Sequence, residues 1–151
     1  MQKSSFVYVT YIRTTPEKLW AALIQPEFTR QYFFGATLAS AWKPGAPWKM
    51  TTTDGTVTDA GEVLEIDPPR RLVLKWRNEC KPEAHAEGDS RMTYLIEPSG
   101  GSLKLTVTHE IDKPASKLIA SVSNGWPAIL ASLKSLLETG HPLETERPCA
   151  H

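Results

Sequence analysis

The chain has 151 residues, with 17 Lys plus Arg balanced by 17 Asp plus Glu and a formal net charge of zero. That length suits a single domain, residues 1–151, with a continuous core over about 5–140 and a tail from 141 to 151. The charge balance argues against a nucleic-acid partner, and the absence of an 18-residue apolar run argues against a membrane one.

The first periodic segment, SFVYVTYI from Ser5 to Ile12, is rich in β-branched and aromatic residues and reads as a strand. A helix follows at TTPEKLWAAL. Thr14 is placed to cap it with Glu17 three residues on, Pro16 sits in its first turn, and Leu19, Trp20 and Leu23 form its apolar stripe. A second short helix is expected over about Pro26 to Tyr32, leading into YFFG.

From Thr37 to His109 the pattern changes to strands and turns, with strands expected near 36–40, 46–52, 56–66, 71–77, 90–97 and 102–109. Asp54-Gly55 and Ala60-Gly61 suggest turn or bulge sites, IDPPRR stops a strand at Asp67, and PSGGS resembles a hairpin turn. The segment from Glu79 to Asp89 reads as a polar loop. The last element is a long amphipathic helix over about Pro114 to Thr139. Leu118, Val122, Trp126, Ile129 and Leu133 recur on one face, Gly125-Trp126-Pro127 predicts a kink, and Gly140 supplies the C-cap. One strand, two short helices, a long meander and a final helix give an α+β layout with one sheet face covered.

Three segments in this order are similar to a known group. TTPEKLWAALIQPEFTRQYFFG resembles the opening of the SRPBCC superfamily, the START or Bet v 1-like helix-grip proteins. GEVLEIDPPRRLVLKW, Gly61 to Trp76, and GWPAILASLKSLLETG, Gly125 to Gly140, resemble the central hairpin and last helix of its activator of Hsp90 ATPase homologue 1-like branch. The resemblance implies a helix-grip fold: a curved antiparallel sheet of about seven strands around a long C-terminal helix, with two short helices after the first strand. Trp20, Pro26, Trp76, Gly125, Trp126 and Pro127 carry over as structural positions. The superfamily contains lipid and hormone binders, cyclases, oxygenase domains and cochaperone domains, so the fold does not name a ligand. No counterpart of the eukaryotic cochaperone's amino-terminal domain is expected, and hence no direct stimulation of Hsp90.

Chemistry-bearing motifs are sparse. His85, His109, His141 and His151 are scattered without zinc-site spacing, and neither a Walker A sequence nor GxGxxG is present, so no metal or cofactor is expected. No catalytic residue is singled out. Cys80 and Cys149 are expected to remain thiols rather than to pair, which fits a reducing compartment. With no apolar leader in MQKSSFVYVTYIRTT, a cytoplasmic location is the expectation.

The aromatic inventory is more informative. Tyr32, Phe34, Trp48, Trp76, Tyr94, His109 and Trp126 are the expected lining of a cavity between sheet and last helix. The leading expectation is non-catalytic binding of a small apolar or amphipathic molecule there. An enzyme of the cyclase or hydrolase kind using a cavity His or Tyr is one alternative, and a stress- or chaperone-related interaction module is another. A homodimer is a further expectation, with an exposed edge strand and Trp42 and Trp48 of WKPGAPWK as its contact.

Overall fold

The computed structural model describes residues 3–144. The elements run β1 (Ser4–Ile12), α1 (Pro16–Ile24), α2 (Pro26–Tyr32), β2 (Thr37–Ser40), β3 (Pro47–Thr51), β4 (Val57–Asp67), β5 (Arg71–Asn78), α3 (Pro82–His85), β6 (Ser90–Ser99), β7 (Ser102–Ile111) and α4 (Lys117–Thr139). The seven strands form one curved antiparallel sheet in the order β1-β7-β6-β5-β4-β3-β2, and the long C-terminal helix packs along β1 and against all three shorter helices. This is the expected α+β helix-grip architecture.

Two register shifts help to curve the sheet. One lies between Met50 and Thr51 on β3, the other between Val63 and Glu65 on β4. An extra residue bends its strand and steepens its twist. Gly61, expected near a turn or bulge, instead sits mid-strand opposite Trp76. A Cβ at this position would lie 1.7 Å from the Lys75 carbonyl oxygen and 2.8 Å from Trp48 Nε1. Only glycine lets that indole reach Lys75 O, to which it donates at 2.9 Å.

The helix ends show where local chemistry refines the sequence reading. The cap of α1 is Thr15 rather than Thr14. Thr15 is extended ahead of Pro16, as residues before proline are, and its Oγ1 accepts Lys18 N–H at 3.2 Å. The loop from Glu79 to Asp89 contains one helical turn, α3, entered where Asn78 Oδ1 accepts the backbone N–H groups of Cys80 and Lys81. Cys80 is disulfide-bonded, which corrects the expectation of a thiol and removes its support for a reducing compartment. Cys149 and most of the expected tail lie outside the described residues.

Helix α4 begins at Lys117, three residues later than expected, with Ser116 as N-cap accepting Ile119 N–H at 3.1 Å. The Glu87 carboxylate, from the loop after α3, joins it. That group accepts Ser116 Oγ–H at 2.6 Å, Lys117 N–H at 2.7 Å and Leu118 N–H at 3.1 Å. Burial pushes the Glu87 carboxyl up, but these three donors outweigh it and hold the group below its ordinary value. The helix runs without a break from 117 to 139 through Gly125-Trp126-Pro127, with Pro127 inside it and Trp126 buried at that point. Gly140 closes the helix with φ 85°, its N–H bonded to Leu136 O. No helix among the described residues is long and apolar enough to cross a membrane.

Candidate functional site

The space between the sheet and α4 is mostly filled by rings. Trp76 lies 4.7 Å from Trp48, 5.2 Å from His109 and 5.9 Å from Trp126, centroid to centroid. Trp126 is in turn met edge-on by Phe33 and Tyr94, each at 5.8 Å. Such tilted and edge-to-face contacts are the favoured arrangements of aromatic rings and fix their positions.

What remains open is a cleft of about 70 Å³ at one end of this array. Its sheet wall is Met50 of β3, Asp59 of β4 and Trp76 and Asn78 of β5; its helix wall is Ser121, Val122, Gly125, Trp126 and Ile129 of α4. Phe33 and Phe34 close the end. The three strands contribute one row, since Met50 pairs with Asp59 and Asp59 with Asn78. Gly125 widens the cleft by having no side chain. Phe34 has φ 53°, a left-handed backbone that a ring-bearing residue adopts at a cost of about 1–3 kcal/mol. The turn from α2 into β2 thus holds this ring at the cleft against its own preference.

Polar chemistry is concentrated on the sheet wall. Asp59, only 9% exposed, accepts the indole N–H of Trp76 at 2.8 Å. At the helix wall, Lys81 Nζ donates to Ser121 Oγ at 3.2 Å, placing an ammonium beside the cleft.

Of the residues singled out in the sequence, the structure places Phe34, Trp76 and Trp126 on the cleft wall. The other four form the layer behind it. Tyr32 is buried with its hydroxyl donating to Ala22 O at 2.7 Å, and burial raises its pKa well above the ordinary value. Tyr94 is likewise buried and shifted upward. Trp48 is held on Lys75 O, so the Trp42–Trp48 pair offers no jointly exposed contact for a dimer.

His109 is fully buried, and desolvation pushes its pKa down to about 3. Its Nδ1 accepts Trp126 Nε1–H, so the ring proton sits on Nε2, which donates to Ser90 Oγ at 2.8 Å. Both ring nitrogens are engaged in the core and neither borders the cleft. Asp59 was not among the expected site residues; Glu62 and Glu65 share its strand, and nothing in the sequence sets it apart from them. No group of His, Cys, Asp and Glu among the described residues is arranged to hold a metal ion.

A family model described as Activator of Hsp90 ATPase homolog 1-like protein matches residues 13–138. No curated protein matches the chain. Among solved structures, a protein from Mesorhizobium loti shares 23% identity at a TM-score of 0.76, covering 89% of this chain and 97% of its own. The Aha1 dimer from Colwellia psychrerythraea shares 18% at 0.73, covering 91% and 98%. CalU16 from Micromonospora echinospora shares 20% at 0.70, covering 90% and 77%. At these identities the likeness shows the fold alone.

Proposed function

The chain belongs to the activator of Hsp90 ATPase homolog 1-like family, and on that premise we propose that it is a non-catalytic binder of a small apolar or amphipathic molecule. The observation that supports this reading is the cleft itself, with aromatic walls, a glycine-opened helix face and one buried carboxylate at its side. Its volume of about 70 Å³ sets the scale, since sites for drug-sized ligands span roughly 300–1,000 Å³. The occupant is therefore one ring or one short end of a longer molecule whose remainder stays outside. A proton-handling enzyme receives less support, because His109 holds the core together instead of bordering the cleft.

Titration with indole, phenol and benzyl alcohol tests the reading through tryptophan emission and melting temperature. Binding to the folded state raises the melting temperature by mass action. Replacing Val122 with Phe fills the cleft and is expected to abolish the response while the melting temperature without ligand is retained. No response from any ring compound in the wild-type protein would remove the binder reading.

Self-association is a second reading, supported by β1. This strand is a sheet edge with no charge, proline, glycine or bulge over Ser4–Ile12, and Val7, Val9 and Tyr11 are 56%, 41% and 49% exposed on its outer face. Edge strands are ordinarily guarded by one of those devices or by a covering helix, and here α4 packs along β1 with Lys134 Nζ donating to the Tyr11 carbonyl, while the outer face stays uncovered. The Colwellia protein is described as a dimer, and in this chain pairing of two β1 strands about a two-fold axis is the arrangement that would form one.

A further inference from the structure

We propose that residues 145–151 form a strap across the mouth of the cleft, fastened by a disulfide between Cys149 and Cys80, and that thiol–disulfide exchange thereby controls entry. The inference rests on the cleft-binding reading and adds its regulation. Its first ground is a count. Cys80 is disulfide-bonded, no described cysteine is free, and Cys149 is the one other cysteine in the chain. Cys80 also stands beside the cleft. Asn78, on the sheet wall, accepts the Cys80 N–H through Oδ1 at 2.9 Å, and the next residue, Lys81, reaches Ser121 on the helix wall at 3.2 Å.

The second ground is the course of the chain after α4. Past Gly140 it descends the helix it has just left. His141 O accepts Ser135 Oγ–H at 2.6 Å, and Ser132 Oγ donates to Leu143 O at 3.1 Å while accepting Leu143 N–H at 3.0 Å. The tail is thus heading toward the N-terminus of α4. At 3.6 residues per turn, Ser132, Gly125 and Ser121 lie within roughly 40° of one another around the helix. A chain continuing on the line of Ser132 therefore runs over Gly125 and Ser121, two residues of the cleft's helix wall. Gly125 has no side chain to hold a passing backbone away.

The lengths agree. From Ser132 back to Ser121 the helix covers ~17 Å at 1.5 Å per residue. From Leu143 to Cys149 an extended chain spans about 20 Å, and a disulfide adds about 5–6 Å between Cα atoms. That reach suffices with little slack, so the strap follows the helix surface.

Opening is a two-electron exchange. One thiolate of a small dithiol attacks a cysteine sulfur, the Cys80–Cys149 bond breaks and a mixed disulfide forms. The second thiol of the reagent then displaces that cysteine, so the protein gains two electrons and two protons as a pair of thiols and the reagent leaves as a cyclic disulfide. The reverse exchange with an oxidised dithiol refastens the strap. Closure for nine-tenths of the time weakens the apparent affinity about tenfold.

The experiment titrates benzyl alcohol into oxidised wild type, wild type reduced with dithiothreitol, and full-length Cys149→Ser. The readouts are the indole N–H resonances of Trp76 and Trp126, together with peptide mapping of the disulfide. The reduced protein and Cys149→Ser are expected to bind about tenfold more tightly than the oxidised one, with the variant insensitive to reductant. The map is expected to join the peptides of Cys80 and Cys149. Equal affinity of oxidised and reduced wild type overturns the gate and leaves the cleft reading standing. A free Cys149 thiol in the oxidised protein, or a bond from Cys80 to a second copy seen as a doubled mass without reductant, overturns the strap. No shift of either resonance in any of the three proteins removes the cleft reading and the gate with it. The wild-type pair decides the question even if the variant does not fold.

Discussion

Trp126 donates its indole N–H to Nδ1 of His109 at 3.2 Å, joining the long helix to strand β7 through a pair of fully engaged rings. From there the chain of bonds continues: His109 Nε2 to Ser90 Oγ at 2.8 Å, and Ser90 Oγ–H to Trp76 O at 3.0 Å. One helix and three neighbouring strands are thereby fixed in relation to one another, with no polar atom of this relay left without a bond. A neutral imidazole suits the arrangement, because Trp126 offers only a donor and the facing nitrogen must accept.

That relay makes folding stability depend on pH. His109 is neutral in the folded chain, with its pKa pushed down by burial to about 3, whereas the unfolded chain titrates near the ordinary 6.5. Between those values the unfolded state binds more protons, so stability rises with pH. The contribution is fully present above pH 6.5 and declines as pH falls toward 3. From pH 7 to pH 5 the expected loss from this residue is about 2 kcal/mol, at about 1.4 kcal/mol per unit below 6.5. Urea unfolding at the two pH values measures it. His109→Gln should flatten that dependence, and an unchanged slope in this variant would assign the effect to other groups.

Replacing Trp126 with Ala removes a ring that is 2% exposed and touches Phe33, Trp76, Tyr94 and His109. The expected cost is about 3–5 kcal/mol, a large share of a small domain's stability. Trp126→Phe keeps most of the packing but leaves His109 Nδ1 without its donor, and should fall between wild type and Ala. A loss under about 1 kcal/mol for Trp126→Ala would mean the helix is anchored elsewhere.

Glu87→Gln tests the cap supplied from outside α4. The amide retains one acceptor oxygen but loses the charge facing the helix N-terminus, with an expected cost of about 1–2 kcal/mol. The folded pKa of Glu87 is depressed, so its contribution is present above the ordinary carboxyl value of 4.5 and is lost as pH falls through the lower folded value. Equal stability of variant and wild type at neutral pH would show that Ser116 alone suffices.

For β1, Val9→Lys places a charge at the centre of the exposed stripe. Light scattering should report a mass near twice 16.8 kDa for the wild type at high concentration and a single-chain mass for the variant. A wild-type protein that stays single at all concentrations refutes strand-edge dimerisation.

The fold was legible because its periodicities are long and unambiguous. Alternating runs gave the strands, and the Leu118-to-Leu133 stripe gave the helix that covers them. Details that depend on one distant partner were not. Nothing near Ser116 announces that Glu87 will reach its helix, and Thr14 and Thr15 are equivalent as letters until the backbone at Pro16 chooses between them. The inward parity of His109 with Leu105 and Val107 was readable, but its engagement by Trp126 and Ser90 was not, because those bonds join residues far apart in the chain. Asp59 was readable as part of a strand over 56–66, but its place on the cleft wall was not, because that depends on pairing with Met50 and Asn78.

The pairing of β1 with β7 has a consequence for synthesis on the ribosome. Lys3 and Glu110, which meet at the end of that pair, are separated by 107 residues, so the first strand made finds its neighbour only after nearly all of the sheet has been translated. At ~5–20 residues per second the wait is roughly 5–20 s. Throughout that interval a nine-residue segment without charge or proline has no native neighbour, and non-local closure of this kind is the slow step of sheet assembly. Within this sheet, β1 is thus the strand longest exposed to misassociation, and a holdase that shields extended apolar segments would act on residues 4–12 before the later strands.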